Sequence, residues 1–324
     1  MKSSPYLGRL LRRVVTVAFV TVLAFAAQAG QAQQVTKIRV ATLPIDVASQ
    51  ALYAKDQGFF EAAGLDADIS IMNNGPAIAS AVAGGSIDFG AANIVTMASA
   101  YEHGLPYVLV APGGAYTDTQ PTSKLVVPNA SPIKTARDLN GKTVAVNALN
   151  SIDSVGAQAW IDKNGGDSKT AKFIEMPYSA MGAAVASGRV DVGSIDEPFV
   201  GEAIAVNQLR VIGFPLEAVA KRFIEGAFFT TSDYAKAHPD VVRKFADAMA
   251  QAADWANANP AASAAVLAKY SKSPLAPGAA RTYFMPRFVR SEAQPLIDAA
   301  AKYGALKAAF PLSNMFAPGI VYVK

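Results

Sequence analysis

Ala81-Val-Ala-Gly-Gly-Ser-Ile-Asp-Phe-Gly90 returns later in the chain as Ala184-Val-Ala-Ser-Gly-Arg-Val-Asp-Val-Gly193. The two stretches are 103 residues apart, and the same spacing places Asn93, just beyond the first copy, on Asp196, just beyond the second. A unit of sequence that is used twice predicts a unit of structure that is used twice. The repeat therefore indicates two similar lobes.

Strands and helices are predicted to alternate around both copies of the repeat. Runs of β-branched residues predict strands, and longer segments with apolar residues at helical spacing predict helices. The predicted strands are residues 37–42, 67–72, 87–91, 107–111, 123–127, 143–146, 172–176, 190–194 and 209–214. The predicted helices between them are residues 49–63, 76–84, 94–103, 151–164, 178–187 and 198–206. This alternation predicts an α/β fold in which each lobe is a mainly parallel sheet flanked by helices.

Residues 1–32 have the order of a secretory signal peptide, because basic residues precede an apolar run and small residues follow it. The apolar run, residues 14–27, is shorter than the roughly 20 residues of a membrane span. Cleavage is expected near Ala29 or Ala32. The pair Arg12-Arg13 could also belong to a twin-arginine signal, but a common basic start fits better. The sequence contains no cysteine, which excludes a lipid-anchored cysteine, disulfides and thiolate metal sites. We therefore expect a periplasmic protein without a lipid anchor.

The charge of the chain is concentrated in this leader. Four of the 29 basic residues and none of the 25 acidic residues lie in residues 1–32, so the remainder carries 25 of each. A nearly neutral protein gives no reason to expect nucleic acid or an anionic membrane as a partner. The remaining 290 or so residues exceed a typical domain of about 100–150. We assign residues 33–122 and 225–324 to lobe I and residues 123–224 to lobe II, with chain crossings near 121–123 and 224–228.

Several short motifs occur in a fixed order over residues 36 to about 270. They are Leu43-Pro44, Gly85-x-x-Asp88-x-Gly90, Ser131-Pro-Ile-Lys, Asp138-Leu-Asn-Gly-Lys142, Gly188-x-x-Asp191, Glu197-Pro198 and Thr231-Ser-Asp-Tyr with His238-Pro239. Together they resemble the periplasmic solute-binding proteins of ABC importers, in the group that binds nitrate, sulfonates, taurine and thiamine-precursor pyrimidines. The resemblance implies a type II periplasmic-binding-protein-like fold and a monomer. It also implies a cleft that closes by hinge motion on a small-molecule solute, which is then presented to an ABC transporter permease in the inner membrane.

The loops that follow the predicted strands are the expected ligand site, because open α/β sheets bind ligands at the carboxyl ends of their strands. Asn93 offers donors and acceptors there, although it could equally cap a helix. Asp196 and Glu197 are its counterparts in lobe II, where either could cap the next helix; the acid before proline matches a ligand-contacting position in the resembling family. The predicted ligand-binding residues are Asp46, Asn74, Asn93, Tyr116, Thr117, Asn147, Ser151, Asp196 and Glu197.

An enzyme is not expected. The two histidines, His103 and His238, stand near predicted helix ends, and no metal-ligand spacing, phosphate-binding loop or nucleophile with a neighbouring base occurs. We therefore predict no catalytic residue, no metal site and no cofactor. Two alternatives stay open: an enzyme like the thiamine-pyrimidine synthase, which uses a pyridoxal cofactor and its own histidine, and a sensory ligand-binding protein. Export argues against the first, and the sequence does not separate the second from transport.

The predicted loops contain acidic residues, including Asp153 and Asp196, and no basic residue. An inorganic anion would call for arginine, lysine or hydroxyl groups, whereas buried carboxylates prefer a cationic or N–H partner. We therefore expect a small organic solute of the aminosulfonate or sulfonate class, such as taurine, or a pyrimidine-like thiamine precursor. Amine-bearing and heteroaromatic members of these classes are favoured, and nitrate is disfavoured.

Overall fold

The computed structural model describes residues 35–320 and the strand Tyr322–Val323. The predicted signal peptide, residues 1–32, lies outside the described residues. Residues Lys37–Lys324 form one compact unit by their contacts. Among the residues that are described, no helix combines the length and the apolar character needed to cross a membrane.

Strands and helices alternate through the first third of the chain. They are β1 (Thr36–Thr42), α1 (Gln50–Asp56), α2 (Phe59–Ala62), β2 (Leu65–Ile71), α3 (Gly75–Ala83), β3 (Phe89–Asn93), α4 (Ile94–Glu102), β4 (Tyr107–Pro112) and β5 (Gly114–Thr117). The same alternation continues with β6 (Ser123–Pro128), β7 (Thr143–Val146), α5 (Ile152–Lys163), β8 (Lys172–Glu175), α6 (Tyr178–Ala186), β9 (Val192–Asp196), α7 (Phe199–Val206) and β10 (Leu209–Gly213).

The last third of the chain is mainly helical after two strands. It contains β11 (Arg222–Ile224), β12 (Gly226–Thr231), α8 (Ser232–Ala237), α9 (Pro239–Ala258), α10 (Pro260–Ser271), β13 (Tyr283–Phe284), β14 (Phe288–Val289), α11 (Arg290–Ala293), α12 (Pro295–Lys302) and β15 (Tyr322–Val323). Short 3₁₀ helices lie at Asp46–Ala48, Ala136–Leu139, Ser168–Thr170, Pro215–Ala218 and Leu312–Met315.

Two five-stranded sheets organise the molecule, with strand orders β2-β1-β3-β12-β4 and β10-β6-β9-β7-β8. In the first sheet β12 runs antiparallel to β3 and β4, and in the second β6 runs antiparallel to β9 and β10. The antiparallel strands, β6 and β12, each lie at a predicted chain crossing. Each is therefore the first strand that the chain adds to a five-stranded sheet after it arrives from the other sheet. The two-lobed α/β architecture with mainly parallel sheets is confirmed.

A third, small sheet contains a strand that is absent from the predicted strands. β5 lies between β4 and β6 and pairs antiparallel with β11 and β13. Both partners come from more than 100 residues further along the chain, so local sequence gives little sign of the strand. The two chain crossings therefore run side by side as β5 and β11.

The repeated aspartates join neighbouring strands in the same way in both sheets. The carboxylate of Asp88 accepts from the backbone N–H of Arg39 at 2.7 Å, and the N–H of Asp88 donates to the carbonyl of Arg39 at 2.9 Å. The equivalent distances between Asp191 and Thr143 are 2.8 and 3.1 Å. Each aspartate thus fixes the start of β3 or β9 against β1 or β7.

The glycine that ends each copy of the repeat allows a helix to approach the sheet closely. A Cβ on Gly90 would lie 2.5 Å from Ile78 Cγ2 on α3, which no real Cβ tolerates. A Cβ on Gly193 would lie 3.1 Å from Val185 Cγ2 on α6, a tight but smaller conflict. Both copies of the repeat therefore contain a close contact between helix and sheet as well as an aspartate that joins neighbouring strands.

Helix α9 closes the core of the first sheet, as its apolar spacing predicts. Phe245 stacks on Phe89 with ring centroids 4.1 Å apart and on Phe60 with centroids 5.5 Å apart, and all three rings are fully buried. Burying a phenylalanine side chain contributes about 1.5–3 kcal/mol. The C-terminal part of the chain is thus packed on the sheet that the N-terminal part begins.

Candidate functional site: an acidic cavity between the two sheets

A cavity of about 40 Å³, within about 520 Å³ of empty space that includes open solvent, lies where the loops and helix starts of the two sheets meet. The first sheet contributes the segment after β1, the start of α3 and the end of β3. The second sheet contributes the loop after β7, the first turn of α5, the start of α6 and the end of β9. The junction of β11 and β12 completes the wall. This is the strand-end location expected for ligand binding in α/β sheets.

Equivalent positions of the repeat meet at this cavity. Asn93 ends β3 and Asp196 ends β9, and both line the wall. Asn93 also caps α4, because its Oδ1 accepts from the backbone N–H of Thr96 at 2.9 Å. The two roles weighed for Asn93, cap and cavity residue, are therefore compatible, since its amide N–H₂ is not used by the cap.

Asp153, Tyr178 and Asp196 form a buried hydrogen-bonded cluster on the lobe II side. The Tyr178 hydroxyl lies 3.0 and 2.9 Å from the two carboxylate oxygens of Asp153 and 3.1 Å from Asp196 Oδ2. A hydroxyl has a single proton to donate, so it cannot satisfy both carboxylates at once. The cluster therefore needs a further proton or a positive charge.

The pKa values of the cluster are shifted in the direction that this geometry requires. Burial raises the pKa of Asp196 to about 6. Burial, followed by the charge of Asp196, raises the pKa of Asp153 well above its usual range. The pKa of the Tyr178 hydroxyl is also raised, first by burial and then by the two carboxylates. Each group is held towards its protonated form chiefly because it is buried.

Glu225 brings a third carboxyl group to the wall. It lies between β11 and β12 and is 3% exposed, and its Oε1 accepts no hydrogen bond from the residues that the structure describes. Burial raises its pKa well above the usual range, and the charges of Asp196, Asp153 and Asp46 add to the effect. The acidic side chains of the cavity therefore come from lobe II, which contributes Asp153 and Asp196, and from the second chain crossing, which contributes Glu225.

Two partly buried basic side chains are paired with acids of the predicted site. Lys124 Nζ lies 2.6 Å from Glu197 Oε1, and Arg281 Nη2 lies 2.9 Å from Asp46 Oδ1. Among the described residues that line the cavity, none is lysine, arginine or histidine. The cavity thus has an excess of acidic groups.

Three of the nine residues predicted to bind ligand lie on the cavity wall: Asn93, Asn147 and Asp196. Asn147 also bridges the lobes, since its Nδ2 donates to the carbonyl of Asn73 at 3.0 Å. Asp46 and Glu197 form the ion pairs above, and their backbones join, with the N–H of Asp46 donating to the carbonyl of Glu197 at 3.0 Å. Their side chains support the rim of the cavity instead of lining it.

The other four predicted residues make structural contacts away from the cavity wall. Asn74 caps α3 by accepting from Ala77 N–H at 2.9 Å, and Ser151 forms a capping box with Ser154 at the start of α5. Tyr116 is buried and stacks on Phe223, and Thr117 ends β5. Ligand contact by any of the nine residues stays a prediction.

Sequence reasoning missed three wall residues: Asp153, Tyr178 and Glu225. Asp153 was counted among the acids of the loops, but it was not included in the predicted ligand-binding residues. Tyr178 had a usable signal, because the 103-residue spacing of the repeat places it on Gly75, and both residues begin a helix at the cavity. Glu225 had none, since its position depends on how the second chain crossing is folded.

Comparison with curated proteins finds a relative in Brucella abortus whose description assigns it to the binding proteins without naming a ligand. It is 25% identical over 230 residues, which are 68% of this chain and 66% of the relative. The match thus spans just under two thirds of the relative's own length.

Solved structures with a similar fold include both binding proteins and an enzyme. The alkanesulfonate-binding protein SsuA from Xanthomonas axonopodis pv. citri, bound to MOPS, is 20% identical with a TM-score of 0.70, covering 89% of this chain and 99% of that one. The desulfurization enzyme DSZB is 15% identical with a TM-score of 0.62, covering 88% and 97%. At these identities the likeness is one of fold, and it agrees with the predicted two-lobed periplasmic-binding-protein architecture.

The sequence also matches a described protein family. Residues 47–263 match the family described as NMT1/THI5 like. The matched segment runs from the 3₁₀ turn after β1 into α10, so it includes every acidic residue of the cavity. Because the match covers more than half of the chain, the protein belongs to the NMT1/THI5-like family.

Proposed function

We propose that the protein is the periplasmic substrate-binding component of an ABC-type importer and captures a small organic solute in the cavity between its lobes by hinge closure. The observation that carries the proposal is the composition of the cavity wall, to which both sheets contribute equivalent strand ends, Asn93 and Asp196. Contacts across the mouth, from Asn147 to Asn73 and from Asp46 to Glu197, favour a form that has closed over the cavity.

The remaining parts of the proposal follow from the sequence. They are export without a lipid anchor, a monomer, an inner-membrane permease as partner, and lobe boundaries at residues 122–123 and 224–225. The placement of β6–β10 in one sheet supports those boundaries. Of the predicted solutes, sulfonates, aminosulfonates and pyrimidine-like compounds, those with N–H groups suit the acidic wall.

A binding role is favoured over the synthase-like alternative by where the histidines lie. His103 ends α4, where its Nδ1 is 2.7 Å from the carbonyl of Ser99, and His238 precedes α9, where it packs on Tyr234. Neither residue lines the cavity. A mechanism that consumes the protein's own histidine would need that side chain beside the bound cofactor.

The test is a thermal-unfolding screen of the protein against amines, amidines, aminosulfonates, sulfonates, nitrate and pyrimidines. A solute at 100 times its dissociation constant should add about 2.7 kcal/mol to the free energy of unfolding. Loss of uptake of that solute on deletion of the gene, restored by the intact chain, would separate import from sensing. An absence of any stabilising solute in the screen, together with retention of a visible-absorbing pyridoxal adduct, would count against the proposal.

A pair of matched variants locates the site. Asn93→Ala and Asn74→Ala each remove a helix cap of the same 2.9 Å geometry, at a cost of about 1 kcal/mol. Asn93 lines the cavity and Asn74 does not. We expect similar losses of stability from the two variants, and weaker solute binding from Asn93→Ala alone. Equal binding by both variants would mean that the solute lies elsewhere.

A further inference from the structure

We propose that the ligand of this cavity is a small organic cation, held through its N–H groups by the carboxylates of Asp153, Asp196 and Glu225. The inference rests on the proposed solute-binding function and narrows it to a class of ligand. It excludes anionic solutes, including sulfonates without an amine, from the cavity.

The first argument is that a carboxylate oxygen at the wall has no partner. Glu225 Oε1 accepts no hydrogen bond from the described residues, although Glu225 is only 3% exposed. Asp196 is 5% exposed, and the hydroxyls of Tyr178 and Ser123 are the donors that act on its carboxylate. Leaving a buried acceptor without a donor is costly, so a ligand that brings an N–H group to Glu225 recovers this cost, and charge-assisted bonds are the strongest available.

The second argument is the balance of charge. The wall has three carboxyl groups and one tyrosine hydroxyl, while Lys124 and Arg281 are paired with Glu197 and Asp46 behind it. Ionised carboxylates that are buried need a cation or a proton. In the free protein these groups are held towards their protonated forms, and a bound cation takes the place of those protons. A sulfonate or nitrate would instead add negative charge beside any group that is ionised.

The third argument separates an organic cation from a metal ion. Within the part of the chain that the structure describes, no three acidic, histidine or cysteine side chains are grouped closely enough to hold one metal ion. An extended cation with several N–H groups, such as an amidine, a guanidine or a diamine, can reach carboxylates that one ion cannot. Glycine, alanine and larger apolar residues, among them Ile45, Ile152 and Phe228, line most of the rest of the wall and suit a short carbon frame.

The experiment is calorimetric titration of the protein at pH 7.5 with acetamidine, guanidinium and 1,4-diaminobutane, against ethanesulfonate, nitrate and uracil. At least one cation should bind, and the anions should not. Glu225→Gln and Asp196→Asn should each weaken cation binding about 10- to 100-fold, the range expected for a hydrogen bond to a charged group. Glu61→Gln and Asp233→Asn remove exposed carboxylates outside the cavity and should leave the affinity unchanged.

The outcomes distinguish this inference from the function on which it rests. Binding of ethanesulfonate or uracil in preference to the cations, weakened by Asn93→Ala, overturns the cation inference and leaves the solute-binding proposal standing. Cation binding that survives Glu225→Gln and Asp196→Asn also overturns it. Binding of no solute of any class overturns both. Glu225→Gln removes a buried charge and keeps the shape of the side chain, so a folding failure of Asp196→Asn still leaves a decisive variant.

Discussion

Replacing Lys124 by methionine gives a sharp test of how the rim of the cavity is held. Lys124 Nζ lies 2.6 Å from Glu197 Oε1, and the two side chains are 15% and 1% exposed. The other carboxylate oxygen of Glu197, Oε2, accepts no hydrogen bond from the described residues, so the lysine is its main compensation. Lys124→Met keeps most of the aliphatic stem and leaves a buried carboxylate unpaired.

Removing one partner of a buried ion pair costs about 3–5 kcal/mol, whereas an exposed pair contributes about 0–1 kcal/mol. Lys142→Met provides the matched control, because Lys142 pairs with Asp191 at 3.7 Å with both side chains about 40% exposed. We expect urea unfolding at pH 7.5 to show a loss of about 3–5 kcal/mol for the first variant and less than about 1 kcal/mol for the second. The double variant Lys124→Met/Glu197→Gln should regain part of the loss. Equal, small losses in both single variants would refute the reasoning.

Three further predictions concern the cavity and the repeat. Because burial raises the pKa of Asp196 to about 6, the folded protein holds a proton that the unfolded chain has released, so this residue's contribution to stability falls as the pH rises from about 4 to 6. Asp196→Asn should therefore gain stability relative to wild type over that range, by at most about 1.4 kcal/mol per pH unit, in urea unfolding at several pH values; a constant difference would contradict the assigned pKa. Gly90→Ala should destabilise the protein by about 1–3 kcal/mol and Gly193→Ala by less, since their added Cβ atoms meet neighbours at 2.5 and 3.1 Å; circular dichroism melts would show the order, and the reverse order would be inconsistent with the packing. Tyr178→Phe removes the hydroxyl shared by Asp153 and Asp196 and should cost about 1–3 kcal/mol at neutral pH, which guanidinium unfolding can measure; no loss would mean that the bonds are not formed in solution.

Most of the architecture can be predicted from the sequence because the repeated stretch occupies equivalent positions in the two sheets. The 103-residue spacing brings Asn93 and Asp196 to equivalent strand ends, and both reach the cavity. Strand boundaries shift slightly: residues 87–91 were predicted to form the strand observed at Phe89–Asn93. The shift has a local cause, because Asp88 is engaged through its side chain and backbone with Arg39 and precedes the regular pairing.

The part of the site that could not be predicted depends on contacts between distant segments. Asp46 and Glu197 follow strand ends, as ligand-binding residues do, but each finds a basic partner, Arg281 or Lys124, from elsewhere in the chain. Within the described part of the chain, Asp153 and Glu225 have no basic partner, and both line the cavity wall. An acidic residue is neutralised when a basic side chain lies beside it in the folded protein. The position of the residue in the sequence does not show whether this happens.

The pairing of β5 with β11 limits how the two lobes can move. The only two described stretches that carry the chain between the five-stranded sheets are hydrogen-bonded to each other in antiparallel register, from Arg222 opposite Thr117 to Ile224 opposite Ala115. In a binding protein that opens by hinge motion, as proposed above, paired strands of this kind would bend together. Glu225 directly follows β11, so a solute held by its carboxyl group would lie beside the hinge. Release of such a solute would then be coupled to bending of the β5–β11 pair.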